Sequence, residues 1–436
     1  MKKCICILLC IFTVLALSFS GCAVLNGKDG KDGKDLNIYD VYEATNAARE
    51  EKGLEQLDFL EFVEQYLHYE VQMTDDGNLR SSINRSLLCS VGIVAKFNYP
   101  ISESKSFAGS GVIVDIDKEN GNAYVITNAH VVYDTNASPS VVKSLEIYLY
   151  GNDDRNITGT EPITEVSLVT YALSYDIALL KIEGSEILKN SAACAAVFAE
   201  SETVNIGEVV YTVGYPAAEG ISVTQGIISR ENEYIGIDFA DGDSSSSDNS
   251  GSSYGKEIYV QRVMRTDAAV NGGSSGGALF DASGRILGIV NSKDPETVNE
   301  NMGYALCGSY VKRLWKLMRD GYLNSESSYG VCRAVFPAEI GFTTDVEFDN
   351  VTNLVELTDT VCVLSAYGSF RTGDIIKRVE IIDGSGNTVD GLDVERYFNI
   401  DDVLLSARNG DIVVYTVERD GQTQQLRFEP LFENCA

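Results

Sequence analysis

The segment TDAAVNGGSSGGALF, residues 266–280, holds two adjacent serines, Ser274 and Ser275, between two pairs of glycines. Glycines permit tight backbone turns that expose a hydroxyl group and bring backbone N–H groups close to a reacting atom. Each serine is the centre of a G-x-S-x-G pattern, which is typical of serine nucleophiles in acyl transfer. The segment therefore predicts a nucleophile, provided that the chain supplies a general base.

The candidates for that base are few, because the chain has only two histidines, His68 and His130, and both precede the serines. An α/β-hydrolase serine needs its histidine downstream, so this class is excluded and a Ser–His mechanism must run in the order His, Asp, Ser. His68 lies in a helical pattern and is assigned no role. His130 ends the apolar run YVITNAHVV, a buried strand that would give a base a rigid, apolar seat.

A carboxylate partner is found in Asp176, which opens the otherwise apolar run DIALLKI. An acidic residue at the start of a buried strand is costly unless it is paired. The ring of His130 would be such a partner, and the carboxylate would hold that ring in the productive tautomer. Taken alone, an aspartate at a strand edge is more often a turn residue.

Seven motifs together resemble the HtrA/Deg family of trypsin-like serine proteases: GSGVIV (109–114), VITNAHVV (125–132), DIALLKI (176–182), VGYP (213–216), VTQGIIS (223–229), TDAAVNGGSSGGAL (266–279) and GYAL (303–306). The resemblance implies that Ser275, the serine followed by two glycines, is the nucleophile. It also implies an oxyanion hole formed by the backbone N–H groups of Gly273 and Ser275, and two converging donors suit a tetrahedral oxyanion. The family usually has Asn where Ser274 stands, and often Pro or a larger residue at Gly272, so we expect a looser loop.

The specificity pocket is expected at Ala269 and Val270, which precede the nucleophile where trypsin-like enzymes form that pocket. Neither residue is acidic, so cleavage after Lys or Arg is not expected. A small apolar pocket would favour residues such as Val, Ala and Ile, which are mostly buried in folded proteins. We therefore expect unfolded or misfolded chains to be the substrates.

Short apolar runs with period two, separated by Gly, Asn, Asp and Pro, fill the central part of the chain. They predict a mainly β fold, and the resemblance implies a chymotrypsin-like double six-stranded β-barrel over residues 82–325. The acidic, Ser/Gly-rich stretch 241–256 is expected to be a disordered insertion. The segment SYVKRLWKLMRDGYL is expected to form a helix with Val311, Leu314, Trp315, Met318 and Tyr322 on one face.

Residues 328–430 resemble a PDZ domain in the segments FRTGDIIKRV (370–379) and NGDIVVYTVERDGQ (409–422). The resemblance places the peptide-binding loop at Tyr329, Gly330 and Val331. PDZ domains bind a peptide by adding it to a sheet as a further strand. The 25 residues that follow this loop match the family poorly, so a small β-domain that only packs on the protease is the alternative.

The N-terminal residues predict export and a lipid anchor. A basic start and an apolar run form a signal peptide over residues 1–21, and Ser20-Gly21-Cys22 resembles the lipobox in which Cys22 receives lipid. A plain secretory signal or a membrane-spanning helix is the alternative. Residues 22–36 carry GKD repeats and suggest a flexible linker. Residues 37–80 read as short amphipathic helices, and the resemblance makes a homotrimer assembled through them possible.

The charge and cysteine content of the chain argue against some classes of binding partner. The formal net charge is −30, which argues against nucleic-acid binding. The six cysteines after Cys22 include no C-x-x-C pair, so we expect buried free thiols rather than a zinc site, and no metal or cofactor. One or two disulfides remain possible in an exported chain.

The residues and the resemblance together predict an extracytoplasmic, membrane-anchored serine endopeptidase that cleaves unfolded protein or peptide substrates after small apolar residues. The alternative from another class is an inactive surface lipoprotein that binds peptides or proteins. A V8-like glutamyl endopeptidase shares the histidine motif but explains neither GGAL nor the PDZ-like tail.

Overall fold

The computed structural model describes residues 46, 49, 76–100, 104–153, 160–199, 204–238, 258–291, 302–321, 333–349 and 354–433. The chain divides into two compact units, residues 1–78 and 79–436. Every element below lies in the second unit, except for the first three residues of helix α1, Asp76–Cys89.

The first barrel is a six-stranded antiparallel sheet in the order β4-β1-β2-β3-β6-β5. Its strands are β1 Ser90–Phe97, β2 Lys105–Asp117, β3 Asn122–Thr127, β4 Ser144–Leu149, β5 Val166–Ala172 and β6 Ile177–Ile182. Ile147 of β4 bridges to Ile163, three residues before β5, so the two edge strands approach each other and the sheet curls closed. Two short helices, α2 Ala129–Val132 and α3 Glu186–Asn190, follow β3 and β6.

The second barrel is a ring of six strands in the order β11-β8-β9-β10-β13-β12, closed by pairing of β12 with β11. Its strands are β8 Val209–Gly214, β9 Ser222–Asp238, β10 Ile258–Thr266, β11 Ala278–Asp281, β12 Arg285–Val290 and β13 Gly303–Cys307. A two-residue strand, β7 Val197–Phe198, adds to β12 in parallel. The prediction of a mainly β fold with a trypsin-like double barrel is confirmed.

The period-two pattern has the expected physical origin, because alternate residues of the strands fill the barrel interiors. Val91, Ile93, Ile113 and Val125 belong to the core of the first barrel and are at most 1% exposed. The turn between β2 and β3 is made by Gly121 at φ +71°, where an added Cβ would lie 2.5 Å from the carbonyl oxygen of Ser185. Only glycine fits this turn without displacement of the backbone.

The predicted helix after the second barrel is α4, Gly308–Arg319. Four of the five residues expected on its apolar face are buried: Val311, Leu314, Trp315 and Met318. The fifth, Tyr322, lies outside the described residues. The sequence therefore predicted the apolar face of this helix correctly.

The C-terminal part is a separate β structure with its own core. Its elements are β14 Arg333–Val335, β15 Ile340–Asp349, β16 Leu354–Val363, β17 Ile375–Ile382, β18 Thr388–Asp393, α5 Asn399–Leu404, β19 Ile412–Arg419, β20 Gln422–Phe428 and β21 Leu431–Glu433. The main sheet has the order β15-β16-β17-β19-β20, with β18 paired to β17. β14 pairs with β21 in a separate two-stranded sheet.

Ion pairs join this β structure to the second barrel and to α4. Arg262 of β10 bonds to Asp402 of α5 at 2.5 Å, with side chains that are 9% and 4% exposed. Arg313 of α4 bonds to Asp390 of β18 at 2.6 Å. The C-terminal structure therefore contacts the second barrel and α4 through paired charges.

Several predictions concern parts of the chain outside the described residues. These are the signal peptide, Cys22, the linker, His68, most of the segment 37–80, the insertion 241–256 and the loop Tyr329–Val331. Within the part that is described, no helix has both the length and the apolar composition needed to cross a membrane.

Candidate active site

His130 lies in α2, immediately after β3 turns out of the first barrel. Its ring Nδ1 lies 2.8 Å from Oδ2 of Asp176, and its backbone N–H donates to Oδ1 of the same carboxylate at 2.9 Å. The side chain of His130 is 32% exposed, whereas that of Asp176 is fully buried. The carboxylate thus fixes both the ring and the backbone of His130, and leaves the outer edge of the ring open.

Asp176 is positioned by an unusual backbone conformation. It follows a 3₁₀ turn, Leu173–Tyr175, and adopts φ +49°, in the left-handed region that few non-glycine residues occupy. Its carbonyl oxygen accepts a hydrogen bond from the side chain of Asn128 at 2.9 Å. The turn directs the carboxylate towards His130, and strained backbones of this kind are concentrated at functional sites.

The pKa of the His130 ring reflects two opposing effects. Burial lowers the pKa, but the charge of Asp176 and its hydrogen bond to the ring raise it by more, so the pKa lies above its ordinary value. The carboxylate therefore favours the protonated imidazole, which is the form a general base reaches after taking a proton.

The loop that is expected to carry the nucleophile, residues 272–277, is fixed by hydrogen bonds to its carbonyl groups. The Gly272 carbonyl accepts from the N–H of Ala217 at 2.9 Å, and the Ser274 carbonyl accepts from the N–H of Gly277 at 3.0 Å. Two further carbonyls are bound by a serine of β2: Ser110 donates its hydroxyl to Gly273 O at 2.6 Å and its N–H to Ser275 O at 2.8 Å. The carbonyl groups of residues 272–275 are thus all hydrogen-bonded.

These bonds fix the direction of the two expected oxyanion donors. In a trans peptide the C=O and N–H groups point in opposite directions. A bound Gly272 carbonyl therefore fixes the N–H of Gly273, and a bound Ser274 carbonyl fixes the N–H of Ser275. Among the described residues, neither N–H donates to a protein acceptor. Both donors are left available to an oxygen of a bound substrate.

Gly273 is required by its surroundings as well as by its conformation. It adopts φ +97°, and an added Cβ would lie 2.6 Å from the carbonyl oxygen of Tyr215 and 2.8 Å from the nitrogen of Ala217. Ala217 itself has φ +52°, so strained backbone segments meet at this point.

The hydroxyl of Ser275 points away from a triad geometry in this conformation. It donates to the carbonyl oxygen of Asn291 at 2.6 Å, and no hydrogen bond to His130 is formed within the described ranges. The loop nevertheless lies against the segment that carries the histidine, because an added Cβ on Gly276 would meet Asn128 N at 3.1 Å. A rotation about the Cα–Cβ bond of Ser275, between staggered positions, is the change that a Ser–His hydrogen bond requires.

A buried amide pair lies behind Ser275 and was not foreseen from the sequence. Asn291, which is fully buried, donates its side-chain N–H to the oxygen of Gln261 at 2.7 Å. In the described part of the chain, Asn291 Oδ1 and Gln261 Nε2 have no hydrogen-bond partner. The only sequence signal was a polar residue, Gln261, within strand β10 and another, Asn291, directly after the apolar end of β12.

The two residues expected to form the specificity pocket follow β10 and differ in burial. Val270 is 6% exposed and packs on Gly303, where an added Cβ would lie 2.7 Å from its Cγ2. Ala269 is exposed, and its carbonyl accepts from the hydroxyl of Thr224 at 2.8 Å. The nearby carboxylate of Asp267 accepts the N–H of Ile227 at 2.7 Å.

Residues 109–289 match the family model described as "Trypsin-like peptidase domain". The chain is 31% identical over 239 residues to "Serine protease Do-like HtrA" of Bacillus subtilis (strain 168), covering 54% of this chain and 43% of the relative. It is 30% identical over 211 residues to "Periplasmic serine endoprotease DegP" of Escherichia coli (strain K12), covering 48% and 35%. The alignment spans less than half the length of either relative.

Among solved structures, the chain is similar to "HtrA-type protease AlgW with decapeptide", with 21% identity and a TM-score of 0.45 over 82% of this chain and 99% of that one. The sequence matches therefore show that residues 109–289 resemble the trypsin-like peptidase domain, and that this part of the chain is similar to HtrA-type serine proteases.

Proposed function

We propose that the protein is a serine endopeptidase with Ser275 as nucleophile, His130 as general base and Asp176 as the residue that orients the base. The observation that carries this proposal is the buried Asp176 carboxylate bound to His130 beside a glycine loop whose two N–H groups are available. A serine, a base and a fixed pair of donors are the parts that acyl transfer needs.

In the proposed reaction, a peptide carbonyl binds with its oxygen facing the N–H groups of Gly273 and Ser275. The hydroxyl of Ser275 turns from Asn291 to His130, loses its proton to Nε2 and attacks the carbonyl carbon. The donors stabilise the oxyanion, and His130 then gives the proton to the leaving amine. Water hydrolyses the acyl-enzyme by the same steps.

A fluorophosphonate probe tests this assignment, because it labels only an activated serine. Wild-type protein should be labelled, and Ser275→Ala should not be. Ser274→Ala is the matched control, since its hydroxyl has only a 3.4 Å contact with the Asn271 N–H, and it should keep the label. Labelling that follows Ser274, or that survives in Ser275→Ala, would overturn the proposal.

We propose unfolded or misfolded proteins as substrates, cleaved after small apolar residues. The apolar packing of Val270 against Gly303 and the engagement of the Asp267 carboxylate by backbone support this specificity. Casein digestion, compared with digestion of a stably folded protein, tests the preference for unfolded chains. Cleavage of a peptide library mainly after basic or acidic residues would contradict the proposed pocket.

For residues 328–430 we propose a PDZ-like domain, beyond the protease domain at residues 82–325. The pairing of β14 with β21 and the shared core of α5 and the main sheet support the domain. Tyr329, Gly330 and Val331 are the proposed peptide contacts. Isothermal titration of C-terminal peptides against the full chain tests this; replacement of Gly330 by a bulky residue should abolish any binding.

We propose that the chain is exported and held at the outer face of the membrane by lipid on Cys22. The support is the lipobox-like Ser20-Gly21-Cys22 after an apolar run, together with the periplasmic location in the name of one relative. Cys22→Ser should release the protein from the membrane fraction. Light scattering tests the possible homotrimer, which a monomer at all concentrations would exclude.

The alternative, an inactive surface lipoprotein that binds peptides or proteins, is favoured by one observation: the Ser275 hydroxyl bonds to Asn291 rather than to His130. The same fluorophosphonate experiment separates the two functions, because an inert barrel leaves the wild-type protein unlabelled.

A further inference from the structure

Ser110 lies at the contact between the two barrels, and all of its polar groups are used. It is fully buried in β2, within the motif GSGVIV. Its hydroxyl donates to Gly273 O at 2.6 Å and accepts the N–H of Tyr215 at 2.8 Å. Its N–H donates to Ser275 O at 2.8 Å, and its carbonyl accepts from the Thr127 hydroxyl at 2.7 Å.

We propose that Ser110 is a positioning residue for the oxyanion hole, acting through the carbonyl groups of Gly273 and Ser275. This inference rests on the proposed protease function. The two residues whose carbonyls it binds are the same two residues whose N–H groups would stabilise the oxyanion. Ser110 therefore limits the rotation of the peptide planes on the C-terminal side of both donors.

The connection through Thr127 gives Ser110 a second consequence. Thr127 ends β3, three residues before His130, and its hydroxyl bonds directly to Ser110 O. One residue of the first barrel thus joins the segment that carries the base to the loop of the second barrel that carries the nucleophile. The Ser110 side chain is closely surrounded, because a Cβ added to Gly214 would lie 3.2 Å from its Oγ and a Cβ added to Gly277 would lie 3.3 Å from its Cβ.

The test compares Ser110→Ala with Ser185→Ala on the full chain. Ser185 is the matched control, since it is also fully buried, directly before α3, and its hydroxyl accepts a backbone N–H, from Leu188 at 3.3 Å. We expect Ser110→Ala to lower kcat on a fluorogenic peptide by about 10- to 100-fold, below the loss for complete removal of one oxyanion donor. KM and the acidic limb of the pH profile of kcat/KM should stay close to those of the wild type, because the substitution leaves the His130–Asp176 pair in place.

A peptidyl boronic acid provides the readout that a merely structural role would not move. Its tetrahedral adduct places an oxygen at the oxyanion position, so its affinity should fall by the same factor as kcat. We expect Ser185→Ala to lower the melting temperature without lowering kcat or the affinity for the boronic acid. Equal kinetics in the two variants would refute the role of Ser110. An inert wild-type protein would instead refute the protease function, and the inference with it.

If Ser110→Ala does not fold, Ser110→Cys carries the test. A thiol is a weak donor of nearly the same shape, so it should give a smaller loss of kcat in the same direction. A Cys variant with wild-type kcat and boronate affinity would count against the proposal.

A second, independent observation concerns Cys89 and Cys194, whose Sγ atoms lie 3.1 Å apart. Cys89 ends α1 and is 2% exposed, whereas Cys194, just before β7, is partly exposed. The backbone between the two segments is already joined, because the Cys194 N–H donates to Leu88 O at 3.1 Å. The two thiols therefore face each other in a fixed arrangement.

We infer that Cys89 and Cys194 form an oxidation site. A small-molecule disulfide such as oxidised glutathione oxidises the two thiols to a Cys89–Cys194 disulfide. The Cys194 thiolate attacks one reagent sulfur and releases a thiolate. Cys89 then loses its proton and attacks Cys194 Sγ, which releases the second thiol. The protein dithiol is oxidised, and the reagent disulfide is reduced to two thiols.

The charges around the pair support Cys194 as the attacking group. The pKa of Cys194 is lowered to about 6, first by the hydrogen bond from Cys89, and also by the nearby charges of Arg85 and Lys118. The pKa of Cys89 is raised by its hydrogen bond to Cys194 and by burial. The exposed member of the pair is thus the more nucleophilic one.

Peptide mapping of the full chain after treatment with oxidised glutathione tests this site. We expect wild-type protein to give a Cys89–Cys194 peptide, and Cys89→Ser to stop at a glutathione adduct on Cys194. Buried Cys307, whose pKa is raised to about 11, is the control and should stay unmodified. Two unmodified thiols, or a wild-type adduct on Cys194 that never transfers to Cys89, would overturn the inference.

Discussion

Replacement of Asp176 by Asn is the change that isolates the orienting role of the carboxylate. The two side chains have the same shape, but Asp176 accepts two hydrogen bonds from His130, at 2.8 Å from Nδ1 and at 2.9 Å from the backbone N–H. An amide has one acceptor oxygen and one donor nitrogen. If its oxygen keeps the backbone N–H, its NH₂ group faces Nδ1 and forces the ring proton onto Nε2, where it blocks proton transfer from Ser275.

The expected loss is large because the wrong tautomer cannot act as a base. We expect kcat to fall by about 10⁴-fold, or about 5 kcal/mol in activation free energy. The pH dependence should shift as well. Burial lowers the pKa of His130, and only the charge and hydrogen bond of Asp176 raise it above its ordinary value. Without the carboxylate that pKa falls, so the acidic limb of kcat/KM should move to lower pH.

The assay is the pH profile of kcat/KM on a fluorogenic peptide for the wild type, Asp176→Asn and Asp281→Asn. Asp281 is a matched control, since it is 4% exposed and its Oδ1 holds the backbone N–H groups of Ser283 and Arg285. It should affect stability and leave the acidic limb in place. A loss below ten-fold in Asp176→Asn, or a limb that moves to higher pH, would refute this account of the pair.

Three further changes test the loop, the domain contact and the core. Gly273→Ala should lower kcat by about 10²–10³-fold, because the Cβ of the alanine would lie 2.6 Å from Tyr215 O and displace an oxyanion donor. A loss of kcat below ten-fold would contradict this role of Gly273. Arg262→Met should lower the free energy of unfolding by about 3–5 kcal/mol in urea titrations, because it leaves the carboxylate of Asp402, which is 4% exposed, without its partner. Adding Asp402→Leu should recover part of the loss. No recovery would argue against the buried pair. Leu314→Ala, at 0% exposure, should cost about 2–5 kcal/mol in the same titrations, and a loss under 1 kcal/mol would show that α4 is not packed as described.

The sequence was sufficient for the parts of the fold that depend on local patterns. Period-two runs predicted the barrel strands, and the spacing of Val311, Leu314, Trp315 and Met318 predicted the buried face of α4. These patterns are visible because each strand or helix buries a regular subset of its own residues. The order of His130, Asp176 and Ser275 followed from the same logic, since only one upstream histidine had a suitable strand.

The poorly matching stretch of the C-terminal part shows where such patterns fail. β15 and β16 pair along ten residues each, but Phe342, Val346, Phe348 and Val355 are between 48% and 67% exposed. A hairpin with large exposed apolar side chains gives no clean alternation between core and solvent. Its strands are fixed mainly by pairing with each other, which period-two patterns detect poorly.

Contacts between residues far apart in sequence were also invisible. Arg262 and Asp402 are separated by 140 positions, and each reads as an ordinary surface charge until the fold brings them together. The rotamer of Ser275 is a similar case, because one side-chain torsion selects between the Asn291 carbonyl and another acceptor. Sequence patterns constrain which elements form, but they do not determine one torsion within an element.

Both local sequence patterns and contacts between distant residues determine the conformation of the loop at residues 272–277. A missing asparagine at Ser274 predicted a looser loop when only residues 272–277 were considered. The structure supplies the loop with hydrogen bonds from outside that segment, from the N–H of Ala217 and from the hydroxyl and N–H groups of Ser110. The rigidity of an oxyanion hole is therefore a property of every segment that binds its carbonyl groups. A substitution inside the loop can be compensated at a residue more than 160 positions away, so the local motif alone does not determine how firmly the expected donors are held.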